Sequence, residues 1–338
     1  MPTSCPLESE SWLNSPDTFM IFSHAMAIVV TPLHLVGFYC ILRKTPGSMH
    51  SVKWTLLHFH FWNVLVDLML NVFIIPFPLF PSPSGFLLVR LELNRQFNYG
   101  YYSLQFVVIV CVSTAMIFEN RFRLLNHKNT RWKQVQPFWV LGNFLFCLIF
   151  QIPTILQVPD QDAAREVVFT TLPCIPAFLY STEIVVPSLD QSIIIITSLL
   201  FIIVVFGQLI TFAILIMVQL STNFGARMLS ENTRRLQKNL MKALIWQTGI
   251  PVLYLVFPAS YAMWAISQEV FNRSMNNIIV AVTSLHGLVS TSSMILIHHP
   301  YRSTVVFWFK KRNTENIRAI NNYPMFTTNT AVDNYTIS

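Results

Sequence analysis

Charged residues are scarce in this chain: they make up 11% of its 338 residues, whereas hydrophobic residues make up 53%. A soluble globule of this length needs more polar side chains to cover its surface. Glycine is also scarce, with nine residues, and no Gly-rich phosphate loop, His-Glu-x-x-His or Gly-x-Ser-x-Gly pattern occurs. The composition therefore opposes a soluble protein, and the missing motifs oppose an enzyme.

Seven long apolar stretches are present instead, each with at most one charged residue. About 20 such residues form a helix that crosses a hydrocarbon core of about 30 Å. Only helices and closed barrels can span lipid, because every backbone polar group must find a partner there. The predicted spans are 19–42, 54–80, 97–118, 135–156, 192–220, 243–266 and 277–297.

Basic residues lie mostly on one side of these spans. The connections after the first, third and fifth spans, together with the tail, hold 18 of the 22 Lys and Arg residues, whereas ten of the 15 acidic residues fall on the other side. The positive-inside rule places the basic side in the cytoplasm. The net charge of +7 is therefore a signal of membrane topology and does not indicate nucleic acid binding.

The amino-terminal side of the first span carries no Lys or Arg, so we expect an uncleaved first span and an outer amino terminus. The predicted fold is an all-α membrane protein, a seven-helix transmembrane bundle with a short amphipathic helix after the seventh span. The predicted organisation is an extracellular segment at 1–18, the bundle at 19–297, the interfacial helix at 298–312 and a disordered cytoplasmic tail at 313–338.

Two of the five cysteines, Cys5 and Cys174, lie on the outer, oxidising side in this topology. A bridge between them would tie the amino-terminal segment to the long outer loop; the alternative is two free thiols. Asn272-Arg273-Ser274 lies in the short outer loop before the seventh span and matches the glycosylation sequon. Asn334 begins a second match in the predicted cytoplasmic tail.

The second span carries the polar residues His60, Asn63, Asp67 and Asn71 on one helical face. Asp67 lies near mid-membrane, where a charge is costly and is usually functional. These residues predict either a polar network that participates in switching or a static hydrogen-bonded packing site. His58 and His60 face different directions, so we predict no metal site and no cofactor.

Other unusual residues lie in the sixth span and at the cytoplasmic rim. Pro251 and Pro258 remove backbone hydrogen bonds from the sixth span and indicate either hinges or fixed bends. The third span ends with Glu119 and Arg121. Pro300 suits the first turn of the helix predicted after the seventh span.

These features together resemble nematode serpentine receptors of class H, and the resemblance covers nearly the whole chain. No single motif is specific, but their order along seven spans is. The matching residues are Cys5, Val52-Lys53-Trp54, Phe61-Trp62, Val66-Asp67, Pro76, Pro81, Phe118-Glu119-Asn120-Arg121, Leu172-Pro173-Cys174, Leu236-Gln237, Gln247, Pro251, His286-Gly287 and Pro300-Tyr301-Arg302.

The resemblance implies a G-protein-coupled chemoreceptor in the plasma membrane of sensory neurons, with cilia as the expected location. Its expected partners are a small-molecule ligand, a heterotrimeric G protein and the lipid bilayer. By analogy with rhodopsin-like receptors, Arg121 stands where their third-helix arginine does, and Pro300-Tyr301 where their seventh-helix motif does. The predicted switch residues are therefore Glu119, Arg121, Pro300, Tyr301 and Asp67, whereas the ligand-binding residues stay unassigned.

Two other classes of membrane protein are also considered. A seven-helix ligand-gated channel of the insect odorant-receptor type has its amino terminus inside, which the charge distribution opposes. A small-molecule transporter would be expected to show repeated halves or paired broken helices. The sequence shows no internal repeat and few glycines within its spans.

Overall fold

The computed structural model describes residues 3–4, 14–47, 50–88, 99–126, 130–221 and 231–321. We use "outer" and "cytoplasmic" for the two ends of the bundle as the basic residues assign them. The helices are α1 (Pro16–Lys44), α2 (His50–Leu68), α3 (Tyr99–Leu125), α4 (Thr130–Ile149), α5 (Ile152–Ile155), α6 (Gln161–Thr171), α7 (Gln191–Ser221), α8 (Glu231–Ser267), α9 (Arg273–Ser284), α10 (His286–Ile297) and α11 (His299–Asn321). The strands are β1 (Thr3–Ser4), β2 (Pro76–Pro78), β3 (Gly85–Leu87) and β4 (Cys174–Ile175).

Seven long helical segments form the bundle, with α7 as the fifth span, α8 as the sixth, and α9 and α10 together as the seventh. Within the described ranges, six segments are long and apolar enough to cross a membrane, and α3, with 27 residues, is the other helix of the bundle. Large apolar side chains point outward from the bundle: Ile28, Phe138 and Ile203 are 74%, 75% and 68% exposed. Such a surface suits contact with lipid.

The centre of the bundle is α3, which packs against α2, α4 and α7, while α10 packs against α1, α2 and α8. The cytoplasmic half holds a cluster of buried apolar residues that includes Ile41, Leu56, Phe118 and Tyr301. This packing fixes the cytoplasmic ends of several helices against one another.

The second span ends earlier than the predicted Phe80. Helix α2 passes into a π-helical turn at Met69–Phe73, and the chain then forms the antiparallel pair β2–β3. Pro76 and Pro78 have no backbone N–H, so neither can donate a hydrogen bond that would extend the helix. The prolines therefore convert the end of a long apolar stretch into a hairpin.

Outer loops fold into a cap over one end of the bundle. The hairpin is joined to the loop before α7 by paired hydrogen bonds between Gly85 and Val185. A second apolar cluster fills the cap and includes Phe77, Val168 and Leu179. The cap is thus a packed layer with its own buried core.

Helix α11 is longer than the predicted interfacial helix at 298–312, because it continues to Asn321. No Gly or Pro occurs between Arg302 and Asn321, so nothing in the sequence interrupts the helix there. The part of the predicted tail at 313–321 is therefore helical. The remaining tail, 322–338, lies outside the described residues.

Candidate signalling site

A buried ionisable pair joins the first two helices inside the membrane. Asp67 on α2 and His34 on α1 are each 4% exposed, and the His34 ring nitrogen Nε2 lies 2.8 Å from the Asp67 oxygen Oδ2. This distance is that of a hydrogen bond between the imidazole and the carboxyl group. The structure thus gives the mid-membrane acid a partner on a neighbouring helix.

The other Asp67 oxygen caps a helix of the seventh span. The seventh span breaks at Leu285, and α10 begins at the next residue. The first N–H groups of a helix have no partner within it, and the Gly287 N–H donates to Asp67 Oδ1 at 3.1 Å. A negative charge at a helix amino terminus is also favoured by the helix dipole. Asp67 therefore acts as a cap supplied by another helix.

Glycine is needed at position 287 for this contact. A Cβ atom there would overlap the carboxylate of Asp67. A second close approach occurs at Gly37 on α1, where a Cβ would lie 2.7 Å from Nε2 of His60. Two glycines therefore bring the backbones of α10 and α1 against polar side chains of α2.

Further hydrogen bonds make the site a three-helix junction. The other ring nitrogen of His34, Nδ1, lies 3.0 Å from Thr291 Oγ1 on α10. His60 Nε2 lies 3.1 Å from the backbone oxygen of His34. The junction formed by His34, His60, Asp67, Gly287 and Thr291, here called the polar junction, connects α1, α2 and α10.

Additional polar atoms line the wall of this junction. Within the described part of the chain, Asn63 Oδ1, Asn71 Oδ1, Ser284 Oγ and His286 Nδ1 are buried without a hydrogen-bond partner. Asn63 on α2 and Asn71 in the π-helical turn that follows it lie four residues before and after Asp67. Orphaned polar atoms in a membrane interior are costly and mark functional sites. Among the described residues, no three His, Cys, Asp or Glu side chains are grouped as metal ligands would be.

The predicted switch residues Glu119 and Arg121 face different neighbours at the cytoplasmic rim. Glu119 Oε1 accepts a hydrogen bond from Trp132 Nε1 on α4 at 2.9 Å and lies 3.8 Å from Arg123 Nε. Asn120 donates to Thr55 on α2 at 2.9 Å. The carboxylate is thus engaged with α4 and with Arg123.

Arg121 lies instead beside the start of α11. Its guanidinium is close enough to interact electrostatically with Tyr301 and His298, and its buried Nε atom has no hydrogen-bond partner among the described residues. The side chain is half-buried. A guanidinium with unused donors at this position is available for a new acceptor.

Two hydrogen bonds anchor the cytoplasmic end of the seventh span. His298 Nε2 lies 2.7 Å from Gln247 Oε1 on α8, and the Tyr301 hydroxyl lies 2.7 Å from Thr45 Oγ1 at the end of α1. Burial, together with the charge of Arg121, lowers the pKa of His298 to about 4. Burial raises the pKa of Tyr301, so its hydroxyl keeps its proton. Pro300 lies in the first turn of α11, between the two anchors.

Helix α10 connects the two ends of this arrangement. Gly287, in its first turn, contacts the polar junction, and His298 directly follows its last residue, Ile297. With a rise of about 1.5 Å per residue, the two ends lie about 16 Å apart. Asp67 and the rim residues therefore lie at different depths in the bundle and contact opposite ends of α10.

The two predicted hinge prolines both lie inside the continuous helix α8 and are buried. Each leaves unpaired the backbone carbonyl four residues earlier. For Pro251 that residue is Gln247, the partner of His298; for Pro258 it is Tyr254. Pro251 therefore weakens the helical hydrogen bonding at the same residue, Gln247, whose side chain holds His298.

Three residues of the site were not expected from the sequence: His34, Thr45 and Trp132. A signal existed for His34, since a histidine inside a membrane span is rare and expensive. Thr45 and Trp132 have no such signal, because a threonine or tryptophan at the end of a span is common.

The predicted disulfide and sequon lie on the outer side. Cys174 is disulfide-bonded, whereas Cys40, Cys111 and Cys147 are free. Cys5 lies outside the described residues, so its pairing with Cys174 stays a prediction. Strand β1 pairs with β4 so that Ser4 lies beside Ile175. Asn272 is exposed and caps α9 by accepting from the Met275 N–H.

Comparison with known proteins gives a consistent result across nearly the whole chain. A family model described as serpentine type 7TM GPCR chemoreceptor Srh matches residues 14–311. Serpentine receptor class H-72 of Caenorhabditis elegans is 24% identical over 343 residues, which cover 96% of this chain and 95% of that protein. The chain is a multi-pass membrane protein of a receptor family, and it belongs to the serpentine seven-transmembrane chemoreceptors of the Srh family.

Proposed function

We propose that this protein is a chemosensory G-protein-coupled receptor that binds a small ligand from the outer side and signals to a heterotrimeric G protein. The observation that carries the proposal is the placement of α10. Its outer end is capped by Asp67, and its cytoplasmic end is followed directly by the two anchors at Gln247 and Thr45. Because α10 is held at both ends, a movement at the Asp67 cap can be transmitted to the anchors at Gln247 and Thr45.

The described arrangement corresponds to the resting state in this proposal. A ligand that binds a different arrangement of the outer helix ends more tightly shifts the population toward that arrangement. Loss of the Asp67 cap would free the first turn of α10, and the anchors at its other end would then loosen. The polar junction would act as the switch, since its bonds join three helices at one point.

Arg121 would serve the active state. When α10 and α11 move, its guanidinium becomes accessible from the cytoplasm, and its donors can bind carbonyl or carboxylate groups of a G protein. Glu119 would keep α3 in register with α4 through Trp132 while this happens.

The test is ligand-independent G-protein activation, measured in intact cells with a panel of G-protein dissociation biosensors. Tyr301→Phe removes the bond to Thr45 and should raise basal activation about fivefold, because one hydrogen bond contributes about 1 kcal/mol. Adding Arg121→Ala should return activation to background at equal surface expression. Arg131→Ala is the matched control, since Arg131 is an exposed arginine in the first turn of α4 at the same rim.

Unchanged basal activation in Tyr301→Phe, for every G protein in the panel, would count against the proposal. An ionic current that persists in cells lacking G proteins would favour the channel alternative. We further propose the plasma membrane of sensory neurons, including their cilia, as the location, on the strength of the family. Antibody staining of the endogenous protein tests it.

A further inference from the structure

A groove opens toward the lipid between α3, α4 and α7. It has a volume of about 430 Å³, which is within the range of small-molecule sites. Four aromatic side chains form one wall: Phe122, Trp132, Trp139 and Phe212. Their rings contact one another with centroid separations from 5.3 Å for Trp139 and Phe212 to 6.3 Å for Trp132 and Trp139.

The aromatic wall extends from the cytoplasmic rim toward mid-membrane. Trp132 is the third residue of α4, at the cytoplasmic end, and Trp139 lies seven residues further along that helix. Seven residues correspond to about 10 Å of helix. The groove therefore lies in the cytoplasmic half of the membrane and presents flat apolar faces along its length.

The deep end of the groove is polar. Gln208, near the middle of α7, donates through Nε2 to Asn143 Oδ1 at 2.9 Å, and its own Oε1 is buried without a partner among the described residues. One turn nearer the cytoplasm, the exposed Thr211 donates its hydroxyl to the Gly207 carbonyl at 2.7 Å, so its oxygen can only accept from outside. Two acceptors thus lie side by side where hydrocarbon offers no donor.

We propose that this groove binds a small lipophilic molecule that is dissolved in the bilayer and carries one hydrogen-bond donor, such as an alcohol. Its apolar body contacts the aromatic wall, and its hydroxyl donates to Thr211, the exposed one of the two acceptors. A phospholipid or a sterol fits less well, because its polar group stays at the membrane surface, far from these acceptors. The site is separate from the outer ligand site of the proposed function.

Occupancy would reach the cytoplasmic rim through Trp132. Trp132 forms part of the groove wall and also donates to Glu119 on α3. A molecule packed on the Trp132 ring therefore contacts the partner of Glu119, which lies two residues before Arg121 on α3. The groove is suited to a regulatory ligand that enters through the membrane.

The receptor chain offers a matched pair of glycines for the test. A Cβ on Gly207, which lines the groove, would meet no atom within 4 Å, and the same holds for Gly142 on α4, which does not line it. Gly207→Phe should place an aromatic ring in the groove from a position where its Cβ meets no atom, whereas Gly142→Phe adds the same side chain to lipid-facing surface. Thr211→Val replaces the exposed acceptor with a side chain of the same shape.

The experiment is photolabelling of the full-length receptor in phosphatidylcholine nanodiscs with a diazirine-bearing dodecanol and, separately, with its methyl ether, followed by peptide mapping. We expect the alcohol to label the groove peptides about fivefold more than the ether, as one hydrogen bond predicts. Thr211→Val should remove that preference, and Gly207→Phe should remove the labelling, while Gly142→Phe labels as the unsubstituted protein does. Equal labelling by the alcohol and the ether, or labelling of the groove peptides that Gly207→Phe leaves intact, would overturn the proposal.

Discussion

At the scale of single residues, the site depends on buried polar side chains that contact one another across helices. Asp67 contacts His34 through one oxygen and the Gly287 N–H through the other. Because both side chains are buried, removing one of them leaves a polar group of the other without its partner, which costs about 1–3 kcal/mol. The stability of the site therefore depends on the contacts among these residues more than on any one side chain alone.

Gly287→Ala tests the close approach of α10 to Asp67. Alanine normally stabilises a helix by up to about 1 kcal/mol relative to glycine, but here its Cβ overlaps the carboxylate. We expect a loss of about 1–3 kcal/mol, as overpacking of a core produces. Thermal unfolding of the purified receptor measures it. Gly142→Ala, which meets open space, should leave the melting temperature unchanged or raise it.

His298 gives a pH dependence with a definite sign. Burial beside Arg121 lowers its pKa to about 4, below the value of about 6.5 for an unfolded chain. The unfolded state therefore binds the proton first as the pH falls, so the stability that neutral His298 contributes is lost between about pH 6.5 and pH 4. His298→Gln keeps a donor toward Gln247 without titrating.

The measurement is the melting temperature of the unsubstituted receptor and of His298→Gln across that pH range. The advantage of histidine over glutamine should shrink steadily as the pH is lowered. A difference that stays constant from neutral pH to pH 4 would show that His298 does not titrate as the burial implies.

At the scale of elements, the seventh span works as two helices because its break is capped from outside. The break at Leu285 creates a new helix amino terminus inside the membrane, and Asp67 supplies the acceptor that α10 itself cannot. Helix α8 contributes the other constraint, since its buried Pro251 lies four residues after the anchor at Gln247. In both elements, therefore, the helical hydrogen bonding is interrupted next to a contact with another helix.

Pro251→Ala tests α8 as a hinge. Restoring the hydrogen bond to the Gln247 carbonyl should stiffen the helix next to the cytoplasmic anchor. We expect lower G-protein activation in the Tyr301→Phe background, with a smaller change for Pro258→Ala. Biosensor responses at equal surface expression provide the comparison. Equal activation in Tyr301→Phe alone and in combination with either proline substitution would show that the prolines form fixed bends and not hinges.

At the scale of the whole molecule, much of the fold was predictable because lipid restricts the choices. Seven apolar stretches and asymmetric basic loops predicted the bundle, and the structure and the family match confirm it. The hairpin at β2–β3, the break at Leu285 and the length of α11 were not predicted. Each depends on tertiary partners, such as Val185 for the hairpin and Asp67 for the break.

The candidate site was predictable only in part for the same reason. Asp67 is conspicuous in sequence because a charge inside a span is costly. Its partner His34 is 33 residues away, and no spacing rule relates positions on different helices. The neighbourhood of Glu119 and Arg121 in sequence suggested a joint role, but residues two apart on a helix point in different directions.

The orientation of the bundle is open to a direct measurement. An amino-terminal tag should be stained on intact cells, and Asn272→Gln should abolish a glycosidase-sensitive mass shift that Asn334→Gln leaves in place. Asn334 lies outside the described residues, and its assignment to the cytoplasm follows from the basic loops. A hidden tag or a glycan on Asn334 would invert the topology.

In the proposed function α10 couples the polar junction to the cytoplasmic anchors, and a double-mutant cycle between Asp67→Asn and Tyr301→Phe tests this coupling. Basal G-protein activation is measured for both single variants and the double variant at equal surface expression. Substitutions separated by more than about 10 Å normally have additive free energies. If losing one contact of α10 already loosens the contact at its other end, however, the second substitution adds little. The account predicts that the double variant is about as active as the more active single variant; strictly additive free energies would contradict it.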